Sequence, residues 1–468
     1  MNKATIYYRD IGDYLTREEK LAIIHRLGSV DNPDMQWQTL TPNGHNDWIN
    51  HRNNRFAEFI PLAPGKKFDA KTKSFFNLNV IAVSSNRDAW VYNFSKQALA
   101  EDMRRMIGFY NEQSKAFTEA KQNNPALEIE KFIDTDEKKI SWTRALRNNA
   151  KKGIILDKKE DYRVGIYRPF CSQYLYYDDA LIESPGLSRK LFPLPDMENL
   201  VICITGIGAS KPFSVLISDK ITSIDTIEKN QCFPLYWYEE TKQEKTLFDC
   251  AAEPESGYYA RRDAISDFIL GRAREQYGSK TAKEDIFYYV YGLLHNPDYR
   301  AAFAADLKKM LPRLPLIDSS SDFWKYVKAG RELAALHLHY EDYAHEAGVK
   351  VEINNAVYDN YEITKMRFPS KGDKSRIIYN PYITVANIPA EAYEYVVNGK
   401  SAIEWIMERY QVSTHKESGI VNDPNDWARE QGKPEYILDL LLSVIAVSVK
   451  TVGIVKGLPE VDFENTEN

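Results

Sequence analysis

The stretch KKISWTRALRNNAKKGIILDKKEDYRVGIYRPF, residues 138–170, sets the reading of the whole chain. Its first fifteen residues hold Lys138, Lys139, Arg144, Arg147, Lys151 and Lys152 with no acid among them. Trp142, Asn148 and Asn149 lie between those charges. The full stretch has ten Lys or Arg against three acids, a local net of about +7 on a chain whose total is −6. Cations meet phosphates, and Arg and Asn reach base edges, so the mix suits a polyanion. The competing reading is a solvated helical face.

Outward from there, the bulk numbers set limits. At 468 residues the chain is too long for one ordinary domain. Its 43% hydrophobic and 12% aromatic residues can build sizeable cores. The mildly acidic balance excludes a surface basic all over, but not one basic cleft in an acidic body. Cys171, Cys203, Cys232 and Cys250 are far apart and show no metal spacing, which predicts reduced thiols in a cytoplasmic protein. No signal peptide opens the sequence. The most apolar run, 440–449, is shorter than a membrane span and predicts a buried element.

Periodicity and turn residues predict an α+β, multi-domain chain. A strand over 4–8 precedes a helix with a capping box from Thr16 and Glu19, stopped by Gly28. Residues 75–84 read as strand, and a helix follows with Leu99, Met103, Met106, Ile107 and Tyr110 on one face. Short strands over 174–177, 200–205, 213–218 and 232–238, punctuated by Pro and Gly, predict a mixed or antiparallel sheet. Residues 251–345 read as helical, with one helix capped by Thr281 and Glu284, a second over 297–310 and a third over 322–343. The remainder reads as α+β, with strands over 361–367 and 375–379 and a helix over 399–410. These shifts place boundaries at 1–130, 131–250, 251–345 and 346–468.

The motifs argue against chemistry in this chain. ITGIGASK (204–211) follows a strand but lacks the glycine spacing of a phosphate loop, and Lys211 stands where a dinucleotide fingerprint needs glycine. A tight turn offering backbone N–H groups and Lys211 to a DNA phosphate is a better reading than a nucleotide site, and a purely structural turn is the alternative. Asn380-Pro381-Tyr382 lacks the second proline of the N-P-P-[YF] loop that takes a flipped adenine. His45, Asp47, His51 and Arg52 form a polar cluster without nuclease-type carboxylates. His337 and His339 are two apart on a helix and face away from each other. The expected catalytic and metal residues are therefore none. A second basic loop carries Lys365, Arg367, Lys371, Lys374 and Arg376 against Asp373 alone.

Five stretches, IYYRDIGDYLTREEKL (6–21), NRDAWVYNFS (86–95), YRPFCSQYLY (167–176), DIFYYVYGLLH (285–295) and YVVNGKSAIEWIMERY (395–410), resemble the C-terminal region of type ISP restriction-modification enzymes. Those single-chain proteins join nuclease, ATP-driven translocase, adenine-N6 methyltransferase and target-recognition parts. The resemblance implies that 1–130 is an α/β segment following a methyltransferase core and that 131–250 is a β-rich DNA-recognition core. Residues 251–345 would be a helical subdomain and 346–468 an α+β part. It implies sequence-specific recognition of double-stranded DNA, with methyltransferase and translocase domains as partners and no membrane. S-adenosylmethionine, ATP and Mg would serve the parent enzyme, with no cofactor in this chain. The alternatives are a catalytic methyltransferase or nuclease fragment and a non-catalytic docking module.

Charge and side-chain type alone then nominate the contacts. Lys139, Lys151, Lys152 and Arg163 are expected on phosphates, and Arg144, Arg147 and Asn148 on base edges. Trp142 would anchor the strip or stack on a displaced base. Arg168, Lys211, Lys365, Arg367, Lys371, Lys374 and Arg376 complete the set.

Overall fold

A computed structural model describes residues 4–12, 15–49, 51–64, 73–241, 258–354 and 360–463. The chain divides into two compact units, Met1–Glu58 and Phe59–Asn468.

In the first unit, Ile6–Tyr8 pairs antiparallel with Gln38–Leu40. The helix Arg17–Leu27 lies between them in sequence. Thr16 Oγ1 accepts the Glu19 N–H at 3.2 Å and the Glu19 carboxylate accepts the Thr16 N–H at 2.7 Å, the reciprocal cap the sequence predicts. Gly28 stops the helix at φ 68°. Leu27 is the helix's one buried residue, while Leu21 and Ile24 are exposed.

The second unit is α+β, as expected, and built on two four-stranded sheets. In one, Tyr162–Arg168 and Cys171–Tyr176 form the central antiparallel pair, flanked by Tyr92–Asn93 and by Ile221–Thr222, which runs parallel to Tyr162–Arg168. The other is antiparallel, in the order Val80–Ile81, Gln231–Pro234, Val201–Ile204, Val215–Ser218. Its four-residue strands are almost wholly buried, which is why they read as short apolar runs rather than as alternations. Cys203 and Cys232 are register partners with sulfurs 3.9 Å apart. The three described cysteines are free and buried; Cys250 lies outside the described residues. A third sheet sets Ile383–Ala386 between Lys350–Ile353 and Arg376–Ile378.

Helices cover these sheets. Ser95 caps Lys96–Asn123, whose buried Leu99, Met103, Met106, Ile107, Tyr110, Ser114 and Phe117 repeat every three or four residues. Lys283–Leu293 and Ser320–Leu338 approach so closely that a Cβ on Gly330 would fall 1.9 Å from the Tyr288 carbonyl oxygen. The C-terminal helix Tyr436–Lys456 is long and apolar enough to cross a membrane by composition. Two thirds of its most apolar window is nevertheless buried within the fold, as expected for the 440–449 run.

Some expectations are corrected. The N-terminal cap of Lys283–Leu293 is made by Asp285, which accepts the Ala282 N–H at 2.9 Å; Thr281 instead donates to the Gly278 carbonyl. The helix expected over 297–310 is broken at Phe303 into Pro297–Ala302 and Ala304–Leu307. Residues 361–367 make one isolated bridge, Arg367 with Ile378, rather than a strand. The strand Tyr162–Arg168 lies inside the basic stretch, where its arginines mask the apolar pattern.

Candidate nucleic-acid interface

The basic stretch folds into a helix, a loop and a strand. Thr143 caps the helix Arg144–Lys151 by accepting the Leu146 N–H at 3.3 Å. Leu146 and Ala150 are buried, and this helix packs against Lys96–Asn123. Trp142 is fixed as an anchor, its Nε1 donating to the Asp134 carbonyl at 2.9 Å and its ring 5.6 Å from that of Tyr110. Arg144, Asn148 and Lys151 are exposed at i, i+4 and i+7, so they share the solvent face. Lys152 follows, also exposed, and Arg147 is half-buried.

Acids both near in sequence and far from it meet many of these cations. Lys139 pairs with Asp134 at 2.6 Å and Lys151 with Glu130 at 2.8 Å. Each lysine holds its partner's carboxyl below the usual range by hydrogen bonding. Arg163, 8% exposed, pairs with Asp161 and donates to the Pro193 carbonyl at 3.4 Å. Arg168 lies 3.9 Å from the centroid of the Tyr167 ring and pairs with Asp88 and Asp225 at 3.4 and 3.7 Å. In the second loop, Lys374 pairs with Glu404 at 2.9 Å and Arg376 with Glu352. The expected basic groove is thus partly neutralised, by Asp161 from within the stretch and by Glu130, Asp134, Asp88 and Asp225 from outside it.

Magnitudes separate these pairs. An exposed pair stabilises by about 0–1 kcal/mol, so Lys139 and Lys151 can exchange a carboxylate for a phosphate at little cost. Buried Arg163 cannot turn outward without giving up both Asp161 and the Pro193 carbonyl. Arg144, Lys152, Lys365, Arg367 and Lys371 are exposed and form no ion pair among the described residues.

Beside the strip opens a cleft of about 780 Å³. Asn86, Arg87 and Asp88 line it from one side, Glu137 just before the strip and Ser141 within it from another, and Tyr167 and Asp225 from the sheet and the turn that follows its edge strand; the Ser413–Thr414 and Val421–Asn422 hairpin supplies a further wall. Asn86 is exposed and held at φ 52°. Arg87 is 4% exposed, and its Nη2 donates to Thr143 Oγ1 at 2.7 Å. Its Nε and Nη1 have no hydrogen-bond partner among the described residues. Burial pulls its guanidinium down to about 10, opposed by the nearby charge of Glu183. Thr143 therefore joins the cleft wall to the strip helix. Charge counting passed over this cleft, whose sequence signal was the 86–95 stretch rather than a run of cations.

Residues 74–440 match the family model of the Type ISP C-terminal specificity domain. The chain belongs to this family. Solved structures similar to it include the following three. A nuclease-deletion mutant of the Type ISP restriction-modification enzyme LlaGI, in complex with a DNA substrate mimic, is 36% identical. That match covers 99% of this chain and 40% of that one, with a TM-score of 0.81. The ATP-dependent Type ISP enzyme LlaBIII bound to DNA is 34% identical, over 98% and 28%, with a TM-score of 0.82. The DrdV–DNA complex is 27% identical, over 97% and 43%, with a TM-score of 0.77. The chain spans less than half the length of each. No curated protein matches it.

The remaining motifs make local contacts within the fold. The glycine turn at 204–211 does form a cradle of N–H groups, but Glu228 occupies it. The carboxylate accepts from the Ser210 N–H at 3.0 Å and the Lys211 N–H at 2.9 Å, which hold it below the usual range. Those N–H groups are not open to a phosphate, although the Lys211 side chain is exposed. Gly206 is required there, because a Cβ would fall 2.0 Å from the Lys229 carbonyl oxygen. Asn380 closes its own turn. Its Nδ2 donates to the Asn360 and Glu362 carbonyls, both at 3.0 Å, and its Oδ1 accepts from Tyr382 and Ile383. Asp47 is paired with Arg52 at 2.9 Å. His337 is buried and His339 exposed. Among the described residues no His, Cys, Asp or Glu group could hold a metal ion.

Proposed function

We propose that this chain recognises a specific sequence in double-stranded DNA, as the target-recognition part of an ATP-dependent restriction-modification enzyme. The observation that carries the reading is the match, over 99% of the chain at 36% identity, to a Type ISP enzyme held on a DNA substrate mimic. The exposed cations Arg144 (expected from residue type on a base edge, and here assigned to the backbone) and Lys152 on the strip, and Lys365, Arg367 and Lys371 on the second loop, provide the phosphate contacts. Lys139 and Lys151 join them by releasing their surface acids.

The methyltransferase and translocase domains are its proposed partners, and S-adenosylmethionine, ATP and Mg belong to them. In support, the Met1–Glu58 unit exposes Tyr7, Leu21, Ile24, Val30, Trp37, Trp48 and Ile49, apolar surface suited to a protein neighbour. A cytoplasmic setting follows from this role.

Duplex binding measured against salt tests the reading. Each phosphate contact contributes a slope of about 0.9 log unit per tenfold salt. The variants Arg144→Ala and Lys152→Ala should each lower the slope by about one contact. Binding that is absent at low salt, or insensitive to salt, would contradict it.

A further inference from the structure

We propose that the 780 Å³ cleft beside the strip is where base identity is read, and that it takes a base edge bearing an exocyclic amino group. The inference rests on the DNA-recognition reading above and names the site at which that recognition becomes specific.

Charge decides against a phosphate. The cleft presents Asp88, Glu137 and Asp225 against Arg87. Counting Arg168 behind Asp88 and Asp225, three carboxylates face two guanidinium groups. A phosphate entering here would meet surplus negative charge, whereas a few residues away Arg144 and Lys152 stand exposed and unopposed by any ion pair among the described residues.

Hydrogen-bonding capacity selects the ligand. Glu137 is exposed and forms no ion pair among the described residues, so its carboxylate is an open acceptor. Asn86 accepts from Ser84 Oγ at 3.2 Å, which leaves its amide N–H groups for a ligand. In the major groove only adenine and cytosine offer an amino donor, while guanine and thymine place carbonyl oxygens that carboxylates repel. An acceptor beside an amide donor fits the adenine edge, and an acceptor alone fits the cytosine edge.

Rigidity makes the cleft a reading device. Glu137 directly precedes the strip, Ser141 lies within it, and Arg87 is bonded to the Thr143 cap of the strip helix. The elements that would grip the backbone and those that would meet the base are thus one wall, so phosphate contacts set the register in which the base is presented.

The test is a chemical double-mutant cycle on a duplex selected by the full chain. Each adenine of the selected site is replaced in turn by purine, and each cytosine by 2-pyrimidinone, which removes the amino group alone. Affinities are measured for the wild type, Glu137→Ala and Asn86→Gly; glycine keeps the left-handed backbone of residue 86. Removing the amino group at one position should weaken the wild type by roughly 5- to 150-fold. It should have little further effect in Glu137→Ala, and a smaller effect in Asn86→Gly if that base is adenine. Unchanged melting of both variants excludes misfolding. Effects that simply add at every position would overturn the inference, with DNA recognition left standing. A wild-type chain that selects no duplex would instead overturn the recognition reading itself.

Discussion

Arg87 holds a positive charge where water scarcely reaches, and Thr143 is its hydrogen-bond partner. The same hydroxyl caps the strip helix. Thr143→Ala removes both at once. The lost cap costs about 1 kcal/mol, and the orphaned charged donor about 1–3 kcal/mol more. Urea unfolding should show a loss of about 2–4 kcal/mol, and Thr143→Ser should recover most of it. A loss under about 1 kcal/mol would mean that Arg87 is satisfied by other means. His337 gives a second residue-level expectation. Burial, with the charge of Arg300, pushes it from the ordinary 6.5 down to about 3. Its ring is held by Tyr291 Oη at 2.6 Å and Thr451 Oγ1 at 3.0 Å. Between pH 6.5 and 3 the unfolded chain binds this proton and the folded chain does not. Stability is therefore complete above 6.5 and falls with acid by about 1.4 kcal/mol per pH unit from this residue. His337→Gln should show a shallower decline in urea midpoint over that window. An identical slope would contradict the assignment.

Among the elements, the helix pair Lys283–Leu293 and Ser320–Leu338 is the tightest junction. The distance between packed helices follows the side chains at the contact, and here Gly292 and Gly330 bring backbone against backbone. Gly330→Ala has no flexible side chain to displace and must push the helices apart. It should destabilise by about 3 kcal/mol, the upper end for overpacking, read as a fall in thermal midpoint; an unchanged midpoint would show that the helices can slide. How legible each element was follows from its physics. The Arg17–Leu27 helix was readable because Thr16, Glu19 and Gly28 are local signals. Residues 281–284 misled by the same logic, since Asp285 one position on makes the cap. The strand Tyr162–Arg168 was hidden because Arg163 is buried on it through an ion pair, and a buried arginine looks like a surface one in sequence. The turn at 206–211 does present N–H groups, but to Glu228 rather than to the phosphate the sequence suggests. Its occupant, Glu228, comes from seventeen residues beyond Lys211 and carries no local signature.

For the molecule as a whole, the sequence located the strip but not its counter-charges. Asp88, Glu130 and Asp225 reach it only through the fold. Ion pairing leaves fewer open cations than the local count of about +7 suggests, so affinity should depend on Arg144, Lys152 and the 365–371 loop more than on total charge. The cleft lay outside the charge argument, because reading bases calls for amides and acids as much as for cations. Selection of the full chain against random duplex DNA, at two salt concentrations, tests the central claim most directly. Enrichment of one defined sequence is expected at both concentrations, with overall affinity falling steeply between them; duplexes recovered at random would contradict sequence-specific recognition.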